Sequence, residues 1–398
     1  MNHVPDHDLT TRLARKADEF SRRGGTELDI HQVVARAGEI KRGRRMRASI
    51  VMAASVLAIA APTALVALDD AGETAPTPAP AVDFDHSTIT LTGLSRGKEP
   101  QTGHVSDGRF RGAGDEVDLG AVAGRITDVA ALRGGYLVAA QTESGERQVT
   151  FVDQSGNASA ESRRVEGGFA RSDDGQVGAF VQPDGVPVLV RDGGRGWTDL
   201  VKVPDGVGAD AVAVTGEDCA VALDACSVWV NTSSPETMTW TVDAEGARAS
   251  TQKPLRRVTD VAGQRVAGIT EVRDDGTCSA VLDLDGSVPL WSTCEHRFVA
   301  FSPDATRLLA TGSYGDGLGD RQVAILDAES GDVLLDLPVT DMAFVSEMVW
   351  EDDTHVLAEV FEQGRWAVLR IALNGTREYA VAPVAGEDVE SPFMLPTR

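Results

Sequence analysis

The side chains with the most chemistry to offer are four cysteines, Cys219, Cys226, Cys278 and Cys294. Cys278 and Cys294 lie symmetrically about Gly286 in CSAVLDLDGSVPLWSTC. If residues 284–287 turn a hairpin, the two thiols face each other across its strands at a separation that suits a disulfide. Cys219 and Cys226 are seven apart in CAVALDAC and would bridge the next hairpin. The spacing leaves three outcomes: two disulfides, free buried thiols, or a metal site. An even count points to disulfides in an oxidising compartment. No histidine stands at ligand spacing from either pair, which argues against zinc.

Other candidate chemistry has a structural explanation that suffices. The histidines His3, His7, His31, His86, His104, His296 and His355 are scattered, with no paired-His metal spacing. Ser95-Arg96-Gly97-Lys98 fits the S-x-x-K nucleophile pattern but sits in a loop without the companion motifs. Gly315, Gly317 and Gly319 would make a phosphate cradle only if a helix followed, and a strand-like run follows instead. Asp173-Asp174, Asp274-Asp275, Asp283 with Asp285, and Asp316 with Asp320 offer oxygens to calcium, but each stands where a tight turn wants Asp or Gly. Trp229, Trp240, Trp291, Trp350 and Trp366 fall in strand-like runs, where aromatics fill space between sheets more often than they line a pocket. No catalytic residue, cofactor or metal ligand is therefore expected.

The elements that hold these residues divide sharply by composition. Residues 48–68, ASIVMAASVLAIAAPTALVAL, carry no charge and are long enough to span a bilayer as a helix. KRGRRMR precedes them and Asp69-Asp70 follow, so the N-terminus is expected in the cytoplasm. The run is longer than a signal-peptide core and lies behind 47 residues, which favours an uncleaved single-pass anchor. Residues 1–47 hold 11 Lys/Arg against 7 Asp/Glu, giving a basic tail with two short amphipathic helical patterns. With a net charge of -24 overall, everything after the tail carries about -28. Such acidity argues against nucleic acid as a partner. Residues 69–85 are rich in Pro, Ala and Thr and read as an extended linker.

From residue 86 to 398 strand-like runs of four to seven residues alternate with Gly, Asp and Asn turns. The best-formed unit, residues 298–337, reads as four strands: RFVAFS, RLLATGS, QVAILD and VLLDL. The same order recurs in residues 126–157, 167–192, 209–232, 258–291 and 347–375. A period near 40 residues with four strands is that of a propeller blade. HVSDGRFRGAGDEVDL (104–119) supplies three short strands, and SPFMLP (391–396) a lone one. Together they complete a seventh blade whose innermost strand comes from the end of the chain. The expected fold is thus an all-β propeller of about seven four-stranded blades (six or eight being the alternatives), preceded by a short helical tail and one transmembrane helix.

Phe301-Ser302-Pro303-Asp304, Leu308-Leu309-Ala310, Ile325-Leu326-Asp327 and Ser330-Gly331 resemble a blade of the WD-repeat and TolB-like propellers. Leu326-Asp327 stands where a WD repeat has Trp-Asp, and no Gly-His begins a blade, so the His–Asp structural set of that family does not carry over. The layout of basic tail, single anchor and propeller is similar to membrane-anchored propeller proteins of high-GC Gram-positive bacteria. That resemblance implies a cell-membrane protein with an extracytoplasmic propeller. Its expected role is binding a protein or ligand outside the membrane. One alternative is transmembrane signalling, with the tail engaging a cytoplasmic regulator. Another is a propeller hydrolase or lyase, which would gather ionisable side chains from several blades at the central opening.

Overall fold

The computed structural model describes residues 88–397 apart from 113, 195, 205–207, 217, 218, 220, 234–236, 251–253, 285–287, 316 and 318. The predicted tail, anchor and linker lie outside the described residues. Among the described residues no helix is long and apolar enough to cross a membrane.

Seven four-stranded antiparallel sheets make up the fold. The chain is a seven-bladed β-propeller. In six blades the four strands follow one another from the centre outwards. They begin with the inner strands Arg125–Leu132 (blade 2), Ala170–Arg171 (blade 3), Asp210–Thr215 (blade 4), Arg257–Ala262 (blade 5), His296–Phe301 (blade 6) and Ala343–Trp350 (blade 7). Blade 1 is built as the sequence predicted: His104–Ser106, Arg109–Gly112 and Asp115–Asp118 take their inner strand, Phe393–Met394, from the end of the chain. Val105 opposes Met394 and Ser106 opposes Phe393. The end of the chain is thereby paired into the blade that begins the ring, which closes it.

Burial explains which sequences became which strands. Second strands such as Gly135–Gln141 and Val177–Val181 are covered by a neighbouring blade on each face and are buried almost throughout. They read as unbroken apolar runs, as strands covered on both faces do. The outer strand Ala158–Arg164 meets solvent and is charged. Blades diverge outwards, and large rings fill the wedges between them. Trp350 Nε1 of blade 7 donates to the Ala300 carbonyl of blade 6 at 3.0 Å, and Trp291 Nε1 of blade 5 donates to the Ala328 carbonyl of blade 6 at 3.0 Å. Gly331 turns beneath that Trp291 ring with φ 79°, and a Cβ there would lie 2.7 Å from it. Arg163 of blade 2 lies 5.5 Å over the Trp197 ring of blade 3.

One feature of the fold escaped the sequence reading. Residues 88–103 form a strap over the outer edges of blades 6 and 7. Ile89 N donates to the Pro338 carbonyl at 2.7 Å, Ile89 and Leu91 are buried in the core between these blades, and Gly97 N donates to the Tyr379 carbonyl at 2.9 Å. Ser95-Arg96-Gly97-Lys98 is part of this strap. Arg370 fixes its far end: it pairs with Glu351 and Glu378 and donates to the Lys98 and Glu99 carbonyls at 3.1 and 3.2 Å. A nearly buried cation with so many acceptors is held charged, its pKa pushed further up by Glu351.

Candidate functional site: the central channel

The inner strands surround a cavity of about 500 Å³. Arg171 and Asp173 of blade 3, Asp210 of blade 4, Arg257 and Asp260 of blade 5, Arg297 of blade 6 and Glu347 of blade 7 line it, with Thr397 of the closing strand. Ionisable side chains from five blades therefore converge at the ring's centre.

A recurring irregularity aims them there. Five inner strands carry a bulge at the same register, and the residue following it is Asp128, Ala213, Asp260, Ala300 or Glu347. A bulge kinks its strand and re-aims the next side chain. Where that residue is acidic, it takes N–H groups from the neighbouring blade. Asp260 Oδ2 accepts from Phe301 N of blade 6 at 2.7 Å, and its Oδ1 from Val261 N at 2.8 Å. Glu347 Oε2 accepts from Leu395 N of the closing strand at 3.0 Å. Asp128 accepts from the Thr397 hydroxyl of that strand at 3.0 Å and from the Phe169 amide of blade 3. Asp210 does the same from another register: it accepts Gly168 N at 2.7 Å and pairs with Arg257 at 3.1 Å. These carboxyls staple blade to blade, while Arg297 pairs with Asp320 within blade 6 at 2.7 Å.

Crowding makes some of the carboxyls hold protons near neutrality. Burial, with Glu359 and then Asp128 as further causes, pushes Glu347 up to about 8. Burial pushes Glu359, directly opposite Glu347 on the second strand, up to about 7. Asp260 is raised to about 7, first by burial and in small part by the charge of Asp173, against the pull of its two backbone donors. Asp260 is crowded by protein atoms yet half-buried, since the channel admits solvent to its wall. Burial raises Asp128, while Thr397 and Arg147 draw it back. Burial likewise raises Asp173 and lowers Arg171.

The cysteines lie elsewhere, in blades 4 and 5. Cys278 in Gly276–Asp283 is bonded to Cys294, just past Pro289–Thr293, with Cα atoms 4.0 Å apart. This is the cross-strand pair expected from the symmetric spacing. Cys219 is bonded to Cys226 across the turn before Ser227–Thr232, Cα atoms 4.8 Å apart. None of the four lines the channel.

Of the histidines, His104, His296 and His355 are among the described residues, and none of them lines the channel. His104 packs on Phe393 with ring centroids 6.0 Å apart, and burial and Arg111 lower its pKa. His355 contacts Asp352 and Thr354 at a blade 7 turn. Of the calcium candidates, Asp174 is engaged by Ser172 and Gln176 of its own turn and Asp320 by Arg297, while Asp285 and Asp316 lie outside the described residues. The staples themselves were visible in the sequence only as two copies of Thr-Asp-Val-Ala at 127–130 and 259–262.

No protein-family model matches the chain, and no curated protein matches it in sequence. Solved structures with a similar fold include the propeller domain of Cps50 (Swd1) from Myceliophteria thermophila, 11% identical, covering 67% of this chain and 88% of that one with a TM-score of 0.46. YCF48 bound to D1 peptide is 13% identical over 76% of this chain and 88% of its own, TM-score 0.43. Prolyl oligopeptidase B from Galerina marginata is 9% identical over 67% of this chain and 43% of its own, TM-score 0.48. These likenesses bear on fold alone.

Proposed function

We propose that this chain is a single-pass membrane protein, held by residues 48–68, that displays its propeller outside the cytoplasm and binds a protein or ligand at the mouth of the central channel. The observation that carries the placement is the pairing of every cysteine: all four in the sequence stand in two disulfides on the acidic side of the apolar run. Disulfides persist in oxidising compartments and are rare in the cytosol. The channel supports binding over catalysis because Asp210, Asp260 and Glu347 on its wall are engaged in stapling blades, and the histidines of the described blades stand outside it. Propellers suit partner binding because loops from every blade gather at the two channel mouths.

Fractionating cells that express the full chain tests this reading. The chain is expected in membranes and resists extraction by salt. Its propeller is digested by protease added outside spheroplasts, and polyethylene-glycol maleimide shifts its mobility only after reduction. A chain released by salt, shielded from external protease and labelled without reduction would refute the placement.

A further inference from the structure

Blade 4 carries an insertion between its first two strands. Its inner strand ends at Thr215 and its second begins at Ser227, whereas the same connection holds at most five residues in blades 2, 3, 5, 6 and 7. Cys219 and Cys226 close the inserted loop into a small ring. Both are buried with Val214 and Val228 in the core between blades 3 and 4, and Leu223 packs against them. A tight turn at Leu223–Ala225 fills the ring from within. Gly216, at φ 140°, lets the two ends of the loop meet, since a Cβ there would lie 2.5 Å from the Ala225 carbonyl. Above this anchored base stands Val221, 79% exposed. Arg191 of blade 3 donates to the Val221 carbonyl at 3.1 Å and fixes the tip.

Carboxylates surround the tip. Turns that follow the inner strands open on one channel mouth, so the ring shares that mouth with residues 172–176 of blade 3. Asp192 N donates to the Gln176 carbonyl at 2.7 Å, which sets this turn against the residue after Arg191. Asp173 and Asp174 on the turn and Asp224 on the ring are exposed. Asp304 and Asp353 of blades 6 and 7 stand on the same mouth, where Asp304 N donates to the Asp353 carboxylate at 2.9 Å. The neighbouring cations Arg133, Arg171 and Arg191 each aim a donor at a backbone carbonyl.

We propose that the Cys219–Cys226 ring is where the propeller takes a protein partner, one that seats Val221 in an apolar pocket rimmed by lysine or arginine. This rests on the channel-mouth binding proposed above and assigns the mouth. The disulfide and the core beneath it hold the tip in place before a partner arrives, so little order is lost on binding. Protein interfaces concentrate affinity in such buried anchors and surround them with polar contacts. The aspartates select a basic rim and turn away acidic surfaces. A second copy of this chain would set aspartates against aspartates.

Photo-cross-linking of the full chain, in the cells that make it, tests the assignment. The chain carries p-benzoylphenylalanine in place of Val221, of Met342 at the opposite mouth, or of Val333 on the outer rim; all three are exposed. The probe at Val221 is expected to give one discrete protein adduct, with lysine or arginine beside the partner's cross-linked residue. Asp173→Lys with Asp224→Lys is expected to reduce that adduct about tenfold. Asp274→Lys with Asp275→Lys, at the opposite face of blade 5, is expected to leave it unchanged. An adduct from Met342 alone would overturn the ring and leave channel-mouth binding standing. An adduct from Val333 alone, or from none of the three, would overturn both. Cross-linking to lipid or to a second copy, or a partner captured equally without the two aspartates, would also overturn the proposal.

Discussion

Thr-Asp-Val-Ala occurs twice among the bulged inner strands, once beside the seam and once across the ring, and the two copies do different work. At the seam, Thr127 Oγ1 donates to the Ala139 carbonyl and accepts Arg147 Nε at 3.1 Å, while Asp128 receives the closing strand's hydroxyl. Across the ring, Asp260 is met by backbone amides of blades 5 and 6. The strand register there puts Ser279 where blade 2 has Arg147. Among the described residues, Thr259 Oγ1 and Ser279 Oγ meet no hydrogen-bond partner. The same tetrapeptide therefore fastens a seam where a cation and a hydroxyl are supplied. Where they are not, its carboxyl joins blade 5 to blade 6 through backbone amides alone. The two sides also differ covalently, since blades 4 and 5 are braced by disulfides and the seam is held by hydrogen bonds and by the burial of Phe393 and Leu395.

The largest expected effect that would break this contrast is at Asp128. Asp128→Ala takes the acceptor from the Thr397 hydroxyl and the Phe169 amide and a nearby opposite charge from Arg147, and should cost about 3–4 kcal/mol in denaturant unfolding. Removing the Cys278–Cys294 bridge by Cys→Ala at both positions should cost about 3 kcal/mol by loss of loop closure, and removing Cys219–Cys226 about 2.5. Asp260→Ala leaves only two amides in need, so about 2 kcal/mol is expected. A larger loss there than at Asp128 would reverse the assignment of the seam.

Much of this was legible beforehand. Turn residues at regular spacing announced the blades, the unmatched HVSDGRFRGAGDEVDL and SPFMLP announced the closing blade, and the symmetric cysteines announced their bond. These signals are local, or nearly so. The strap was not read, although Ile89 and Leu91 alternate in TITLTGL, because its partners Pro338 and Tyr379 are some 250 to 290 residues away. The staples were not read because an Asp in Thr-Asp-Val-Ala becomes one only when a bulge turns it toward the next blade. Glu347 and Glu359 look like ordinary strand residues until the register sets them opposite each other.

Smaller effects sharpen the comparison. Carboxyl titration by NMR should show Asp260 changing state near pH 7, well above an ordinary aspartate. Its contribution to stability is accordingly present in acid and lost as pH rises through that point. An ordinary titration would contradict the crowding of its carboxyl. Arg147→Ser gives the seam the character of the opposite repeat, and should raise the pKa of Asp128 and cost about 1–2 kcal/mol.

The most direct measurement is a double-mutant cycle on the seam, combining Asp128→Ala with removal of residues 391–398. If the carboxylate helps to hold the closing strand, truncation alone should lower unfolding stability steeply, and Asp128→Ala should cost at least about 1 kcal/mol less in the truncated chain than in the intact one, the share of the Thr397 contact. Full additivity of the two changes, or a truncated propeller as stable as the intact one, would contradict the account.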